Sequence, residues 1–184
     1  NDFTPEHGNQ AASAVANTIR KLSGYDLVFM QACYVANDIY AGDYSQKDLA
    51  YIAKNDGGWP GLMELTGDQI YTLVETTLSM TGNRGAVCND STLYVSSGFE
   101  MDITKTDSGY TLNALTIDGK EMDRNKTYSF MAYGDVNWYL NLVTEKLGIS
   151  EVDTTGPRMP EYLTQRLVEE GGQLEVPTDY IILR

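Results

Sequence analysis

One short stretch, Tyr133-Gly134-Asp135-Val136-Asn137-Trp138-Tyr139, gathers three aromatic rings, a carboxylate and a carboxamide. The pattern around it puts these residues at the exit of a strand and the entry of a helix. Helix amides, a stacking ring and a carboxylate able to bond a sugar hydroxyl or a base edge together make a small-molecule site. The same residues fit a second arrangement, in which Asp135 caps the helix and Trp138 packs in the core. On the sequence both stand. Trp59, in the stretch Asn55-Asp56-Gly57-Gly58-Trp59-Pro60, is a second candidate contact of the same kind.

Other chemistries are excluded by what the chain lacks. His7 is the only imidazole, so no His-rich zinc or two-metal site can be assembled from this chain. A Ser-His-Asp or Cys-His mechanism would depend on His7, which lies in a polar amino-terminal stretch. No P-loop, GxSxG elbow, HExxH helix or EF-hand loop occurs. The pairs Asp102 with Asp107 and Asp118 with Asp123 are spaced for calcium, but both lie at turns beside Gly or Asn, where Asp bonds its own backbone. Glu169, Glu170 and Glu175 read as a solvated face. Cys33 and Cys88 lack CxxC spacing; pairing is open to them, and Cys33, inside an apolar segment, reads as a buried free thiol.

Lys and Arg number 13 against 26 Asp and Glu, a formal charge of −13. Such a surface repels phosphate backbones and anionic lipid, and nucleic acid is set aside as a partner. No apolar run approaches the ~18 residues of a membrane span. The chain opens at Asn1 without a signal segment and reads as a processed or excised piece. Thirteen tyrosines and an acidic surface suit a secreted protein.

The elements that must position these groups follow from periodicity and caps. Residues 1–7 read as a linker end, and 8–184 as one domain. Ala12, Val15, Ile19 and Leu22 mark an amphipathic helix closing at Gly24. Residues 26–32 read as a buried strand. Ser45 with Asp48 starts a second helix, with Leu49 and Ile52 facing inward, and residues 55–60 read as loop. Leu62 to Leu65 is a short strand. Thr66-Gly67-Asp68-Gln69 is a capping box, stapled by Leu65 and Ile70, for a helix running to about Met80. Strand-like runs follow near 93–95 and at 99–106, 110–117 and 127–132, with turns at Asp107-Ser108-Gly109 and Asp118-Gly119. A helix over about 136–147, another opened by Pro160 and stopped by Gly171-Gly172, and short closing strands in 174–183 complete the chain. The class is mixed α/β (α+β), a single domain with a mixed sheet, β-hairpins and about five helices.

In order and spacing these motifs resemble the carboxy-terminal domain of the 5'-nucleotidase family, from Gly8-Asn9 to Asp179-Tyr180-Ile181. Gly8-Asn9-Gln10-Ala11-Ala12-Ser13-Ala14 is similar to that domain's opening helix, with Ser13 where Asp is usual. Asp26-Leu27-Val28, Ala41-Gly42-Asp43 and Asp48-Leu49 follow in register. Leu65-Thr66-Gly67-Asp68-Gln69-Ile70 with Glu75 resembles the family's LTG segment. Ser97-Gly98-Phe99 and Ile117-Asp118-Gly119-Lys120 with Asp123, Lys126 and Tyr128 resemble its later hairpin.

The resemblance implies the substrate-recognition domain of a 5'-nucleotidase-like phosphoester hydrolase of nucleotide catabolism, bacterial and extracellular, cell-surface or periplasmic. It implies a separate amino-terminal metallophosphatase domain as partner, holding two divalent metals, with no cofactor in this chain. The contacts it implies for a nucleoside are Tyr133, Asp135, Asn137, Trp138, Gln31 and Trp59. Departures are marked. The family's substrate-binding arginine falls on Ala36, Tyr34 fills a glycine position, and the base-stacking Phe falls near Asn55-Asp56-Gly57-Gly58. Losing that arginine removes a charge-assisted clamp worth about 1.5–3 kcal/mol, and no cation beside it in sequence replaces it. The alternative reading is a non-catalytic module binding a neutral sugar or a protein partner.

Overall fold

The computed structural model of the chain describes residues 10–35, 37–53, 58–80, 94–107, 109–134, 143–169, 171–172, 174–175 and 181–184. Helix α1 (Gln10–Ser23) leads into strand β1 (Leu27–Gln31), a 3₁₀ turn (Ala32–Tyr34) and α2 (Gln46–Ile52). Strand β2 (Trp59–Thr66) runs directly into α3 (Gly67–Met80). Strands β3 (Tyr94–Ser97), β4 (Glu100–Thr106), β5 (Gly109–Ile117), β6 (Lys120–Glu121) and β7 (Thr127–Gly134) follow. Residues 143–147 (α4) and 159–169 (α5) are helical, and β8 (Ile181–Leu183) closes the chain. The polar stretch 1–7 lies outside the described residues.

Among the described residues two four-stranded sheets form, in the orders β2-β7-β1-β3 and β6-β5-β4-β8. In the first sheet β1 and β7 are parallel, flanked by antiparallel β3 and β2. Every residue of β1 is buried, as befits a strand covered on both faces. Leu27 and Phe29 of β1, with Phe130 and Ala132 of β7, enter a core shared with α3 and the inner face of the second sheet. Val28, Met30, Met131 and Tyr133 point the other way, into a core with α1, α2 and α5. The class expected from sequence, mixed α/β with hairpins and about five helices, is the one found.

The caps form as their sequences require. Ser45 and Asp48 make a reciprocal capping box at α2. At α3 the Thr66 N–H donates to Gln69 Oε1 at 2.9 Å, and the Gln69 N–H donates to Thr66 Oγ1 at 3.3 Å. Gly67 is there for space: a Cβ on it would stand 2.3 Å from the Asp123 carbonyl oxygen. Its N–H and that of Asp68 donate to the carbonyls of Lys126 and Arg124. Asp118 and Gly119, at φ 51° and 71°, make a tight turn pairing Ile117 with Lys120, the left-handed geometry that Asp-Gly favours in hairpins.

Two expectations are corrected, and one feature is new. Strand β2 begins at Trp59, not Leu62, so Trp59 and Pro60 belong to a strand rather than to a loop. A proline is tolerated there because β2 is the edge strand of its sheet. Helix α5 contains a π turn over Tyr162–Arg166, which no composition signal announces. Cys33 is buried, but it is disulfide-bonded rather than a free thiol. An apolar environment suits either state, so burial could not separate them. Cys88, the other cysteine, lies outside the described residues.

Two tests follow from the fold. The Asp26 N–H donates to Ser129 Oγ at 2.9 Å, and the Ser129 N–H and hydroxyl donate back to the Asp26 carboxylate at 3.0 and 2.9 Å. The Ser129 backbone donor, aided by its hydroxyl, holds the Asp26 carboxyl below the ordinary carboxylate range. A lowered folded pKa contributes stability above the unfolded value of about 3.9 that is lost as pH falls through the folded value. Urea unfolding of wild type and Asp26→Asn, which removes the titrating charge, should therefore differ most near neutrality and converge toward about pH 2. A gap independent of pH would refute the assignment. Separately, Cys33→Ser or reduction should cost about 2–4 kcal/mol in the same assay. Equal stability of oxidised and reduced protein would show that the disulfide is energetically idle.

Candidate functional site

Because β1 and β7 are parallel, their carboxyl ends meet at one edge of the first sheet. Met30 pairs with Tyr133, so Gln31 and Gly134 emerge side by side. Strand β2 runs the opposite way and starts at that edge, with Trp59 opposite Gly134. The 3₁₀ turn after β1 carries Tyr34 to the same place. A Cβ on Gly58 would lie 3.4 Å from both the Tyr34 ring and the Gly134 nitrogen, so the three residues are in contact range. The space outside the carboxyl ends of parallel strands is where open α/β sheets bind ligands.

Three of the six sequence-derived site residues converge on this edge: Gln31, Trp59 and Tyr133. Gln31 is buried and Trp59 is 42% exposed. Tyr133 is fully buried, and its hydroxyl donates to the Pro157 carbonyl at 2.6 Å. Its ring offers solvent no stacking face, and it serves the edge as a post. Asp135, Asn137 and Trp138 follow Gly134 directly in the chain and lie outside the described residues.

A feature not legible in the sequence is the strap formed by residues 153–158. It lies along the outer edge of β2. The Leu62 N–H donates to the Asp153 carbonyl at 2.8 Å, and the Asp153 N–H returns to the Leu62 carbonyl at 3.2 Å. The Asp153 carboxylate accepts from the Thr155 N–H and hydroxyl at 2.8 and 2.7 Å, which holds its pKa down. Gly156 crosses so close that a Cβ there would meet Leu62 Cδ1 at 2.9 Å. Tyr133 then fixes Pro157, and the Arg158 guanidinium lands 3.6 Å over the centroid of the Trp59 ring. Strand and strap are far apart in sequence, and no local motif links them.

Among the described residues no group of three or more His, Cys, Asp or Glu side chains converges as metal ligands, so those residues do not fit a two-metal centre. One member of each acidic pair considered for calcium has a partner within the chain. Asp102 bonds Arg184 and Asn113, and Asp123 accepts from the Asn125 N–H. A cavity of about 580 Å³ lies between residues 39–44 and the end of α5, lined in part by Tyr40, Tyr44, Leu49, Leu167 and Leu174. None of the edge residues lines it. Among the described residues no helix is long and apolar enough to cross a membrane.

The sequence profile described as 5'-nucleotidase, C-terminal domain, matches residues 4–140. No curated protein sequence matches significantly. Among solved structures, the NAD nucleotidase of Haemophilus influenzae superposes with a TM-score of 0.74 at 15% identity, over 96% of this chain and 33% of that one. A 5'-nucleotidase precursor of Thermus thermophilus gives 0.66 at 15% identity, over 95% and 34%. The sulfate thiohydrolase SoxB, also of Thermus thermophilus, gives 0.66 at 16% identity, over 95% and 32%. The chain thus spans about a third of the length of each of these proteins.

The Tyr133–Pro157 bond is the testable joint of the edge. Tyr133→Phe should lower stability by about 0.5–1.5 kcal/mol and change the Trp59 fluorescence as the strap loosens. Unchanged stability and emission would show that the strap does not depend on Tyr133.

Proposed function

The chain belongs to the family of the 5'-nucleotidase C-terminal domain, and from that membership we propose that it is the substrate-recognition domain of a 5'-nucleotidase-like phosphoester hydrolase. The observation that carries this reading is the family match over residues 4–140, which spans the three strands whose ends bring Gln31, Tyr34, Trp59 and Gly134 together. The two divalent metals, which would activate water for attack at phosphorus, belong in this reading to a separate metallophosphatase domain. This chain's residues bind and orient. Trp138 supplies a ring face, Trp59 an edge contact beside Arg158, and Gln31, Asp135 and Asn137 supply polar contacts to a nucleoside. Tyr133 holds the edge from beneath.

The same reading assigns the protein to a bacterial cell surface, periplasm or exterior. The disulfide at Cys33 supports an oxidising compartment.

The test is isothermal titration of the chain with adenosine, AMP and UDP-glucose, beside a phosphatase assay with added divalent metal. Saturable heat from adenosine, lost in Trp138→Ala, is expected, together with no turnover. Turnover by the chain alone would overturn the division of labour between domains. Silence from all three ligands on folded protein would favour the module for a neutral sugar or a protein partner.

A further inference from the structure

We infer that Arg158, stacked on Trp59, is an oxyanion-recognition residue that takes the phosphate of a nucleotide-class ligand at the sheet edge; this deepens the proposed function and rests on it for the ligand class. A guanidinium has two recognition surfaces. Its face stacks on rings, while its in-plane N–H groups bond carboxylate or phosphate oxygens in pairs. Stacking on Trp59 occupies the face and leaves the plane's rim for a ligand.

The same chain shows the complete arrangement elsewhere. Arg124 lies 3.7 Å over the centroid of Tyr71, and its Nη1 donates to Asp68 Oδ1 at 2.8 Å. Arg158 has the ring, at 3.6 Å, and among the described residues no carboxylate pairs with it. Its position is built rather than incidental. The Leu62–Asp153 bridge, the close pass of Gly156 over Leu62 and the Tyr133–Pro157 bond fix Asp153, Gly156 and Pro157 on the approach to it. Its own carbonyl accepts from the N–H groups of Glu161 and Tyr162 at the start of α5. Backbone is thus held on both sides of a long cationic side chain, which limits the ordering entropy that an anion must overcome on binding.

The test is titration of the full chain, of Arg158→Gln and of Arg158→Lys with adenosine, AMP and inorganic phosphate at low ionic strength. Tryptophan emission follows binding and near-UV circular dichroism checks the fold. Wild type should bind AMP about ten- to hundredfold tighter than adenosine, as expected for one charge-assisted contact. Arg158→Gln should bring AMP down to the adenosine level and leave adenosine unchanged. Arg158→Lys, which keeps the charge and loses the fork, should fall between them and stands in if the Gln variant is misfolded. An AMP preference that survives in folded Arg158→Gln, or no AMP preference in wild type, overturns the inference while leaving the nucleoside reading intact. If neither adenosine nor AMP binds, that reading fails, and inorganic phosphate decides for Arg158 alone. A saturable emission change present in wild type and lost in Arg158→Gln supports it, and no change in wild type overturns it.

Discussion

The parallel pairing of β1 with β7 is the constraint on which the rest of the molecule depends. Both strands are covered on both faces, so their successive side chains feed two different cores. A slip of one residue would send Leu27 and Phe29 to the side built for Val28 and Met30. Each such side chain contributes about 1.5–3 kcal/mol when fully buried, so the correct register is strongly preferred. The Asp26–Ser129 bonds mark that register at the amino ends of the pair. Parallel direction then delivers both carboxyl ends to one edge, where Gln31 and Gly134 stand at the same height. An antiparallel pair would have put them at opposite ends of the sheet, with no shared edge to recognise anything.

The second sheet contributes no residue to that edge, yet it governs one of its members. Tyr71 of α3 reaches β5, where the Leu115 N–H donates to its hydroxyl at 3.0 Å. Arg124, just beyond β6, covers the Tyr71 ring and binds Asp68. Together with the carbonyls of Arg124 and Lys126, which receive the first amides of α3, these contacts fix where the helix begins. Thr66 is both the last residue of β2 and the cap of α3. Anchoring α3 therefore anchors β2 at one end, and the ladder to β7 carries that placement along the strand to Trp59 at the other.

What the sequence made legible was local. Capping boxes at Ser45 and Thr66, the Asp-Gly turn at 118–119 and the apolar run 27–30 each depend on neighbours within a few residues, and each formed as expected. What it concealed was relational. Trp59 looked like a loop residue because Gly and Pro around it are loop formers, and only the edge position of β2 makes Pro60 acceptable in a strand. The family glycine at Gly67 was recognisable as a motif, but its reason, the Asp123 carbonyl against it, lies far along the chain. Of the site, the sequence offered Gln31, Trp59 and Tyr133 as separate candidates, and strand pairing is what brings them to one edge. The burial of Tyr133 was not legible, since an aromatic at a strand end serves equally as ligand contact or core. Arg158 was invisible because its partner is brought to it by tertiary structure alone.

That last contact bears on how so acidic a protein would meet the anionic ligand proposed for it. A charge of −13 repels an approaching anion at long range, but at physiological ionic strength that repulsion is screened beyond about 8 Å. Recognition is then settled at contact distance, by donors already in place. A lysine on a solvated stem would meet an anion with its own hydration shell and many rotamers to give up. An arginine laid flat on an indole has shed water from one face, keeps its charge at any physiological pH and presents a preformed fork. Rings that underlie cations recur here, with Tyr71 beneath Arg124 and Tyr128 beneath Lys126 as well as Trp59 beneath Arg158. Ring support goes with a carboxylate at Arg124, which also binds Asp68, and without one among the described residues at Arg158. At the sheet edge Arg158 lies over Trp59, where the parallel strands end.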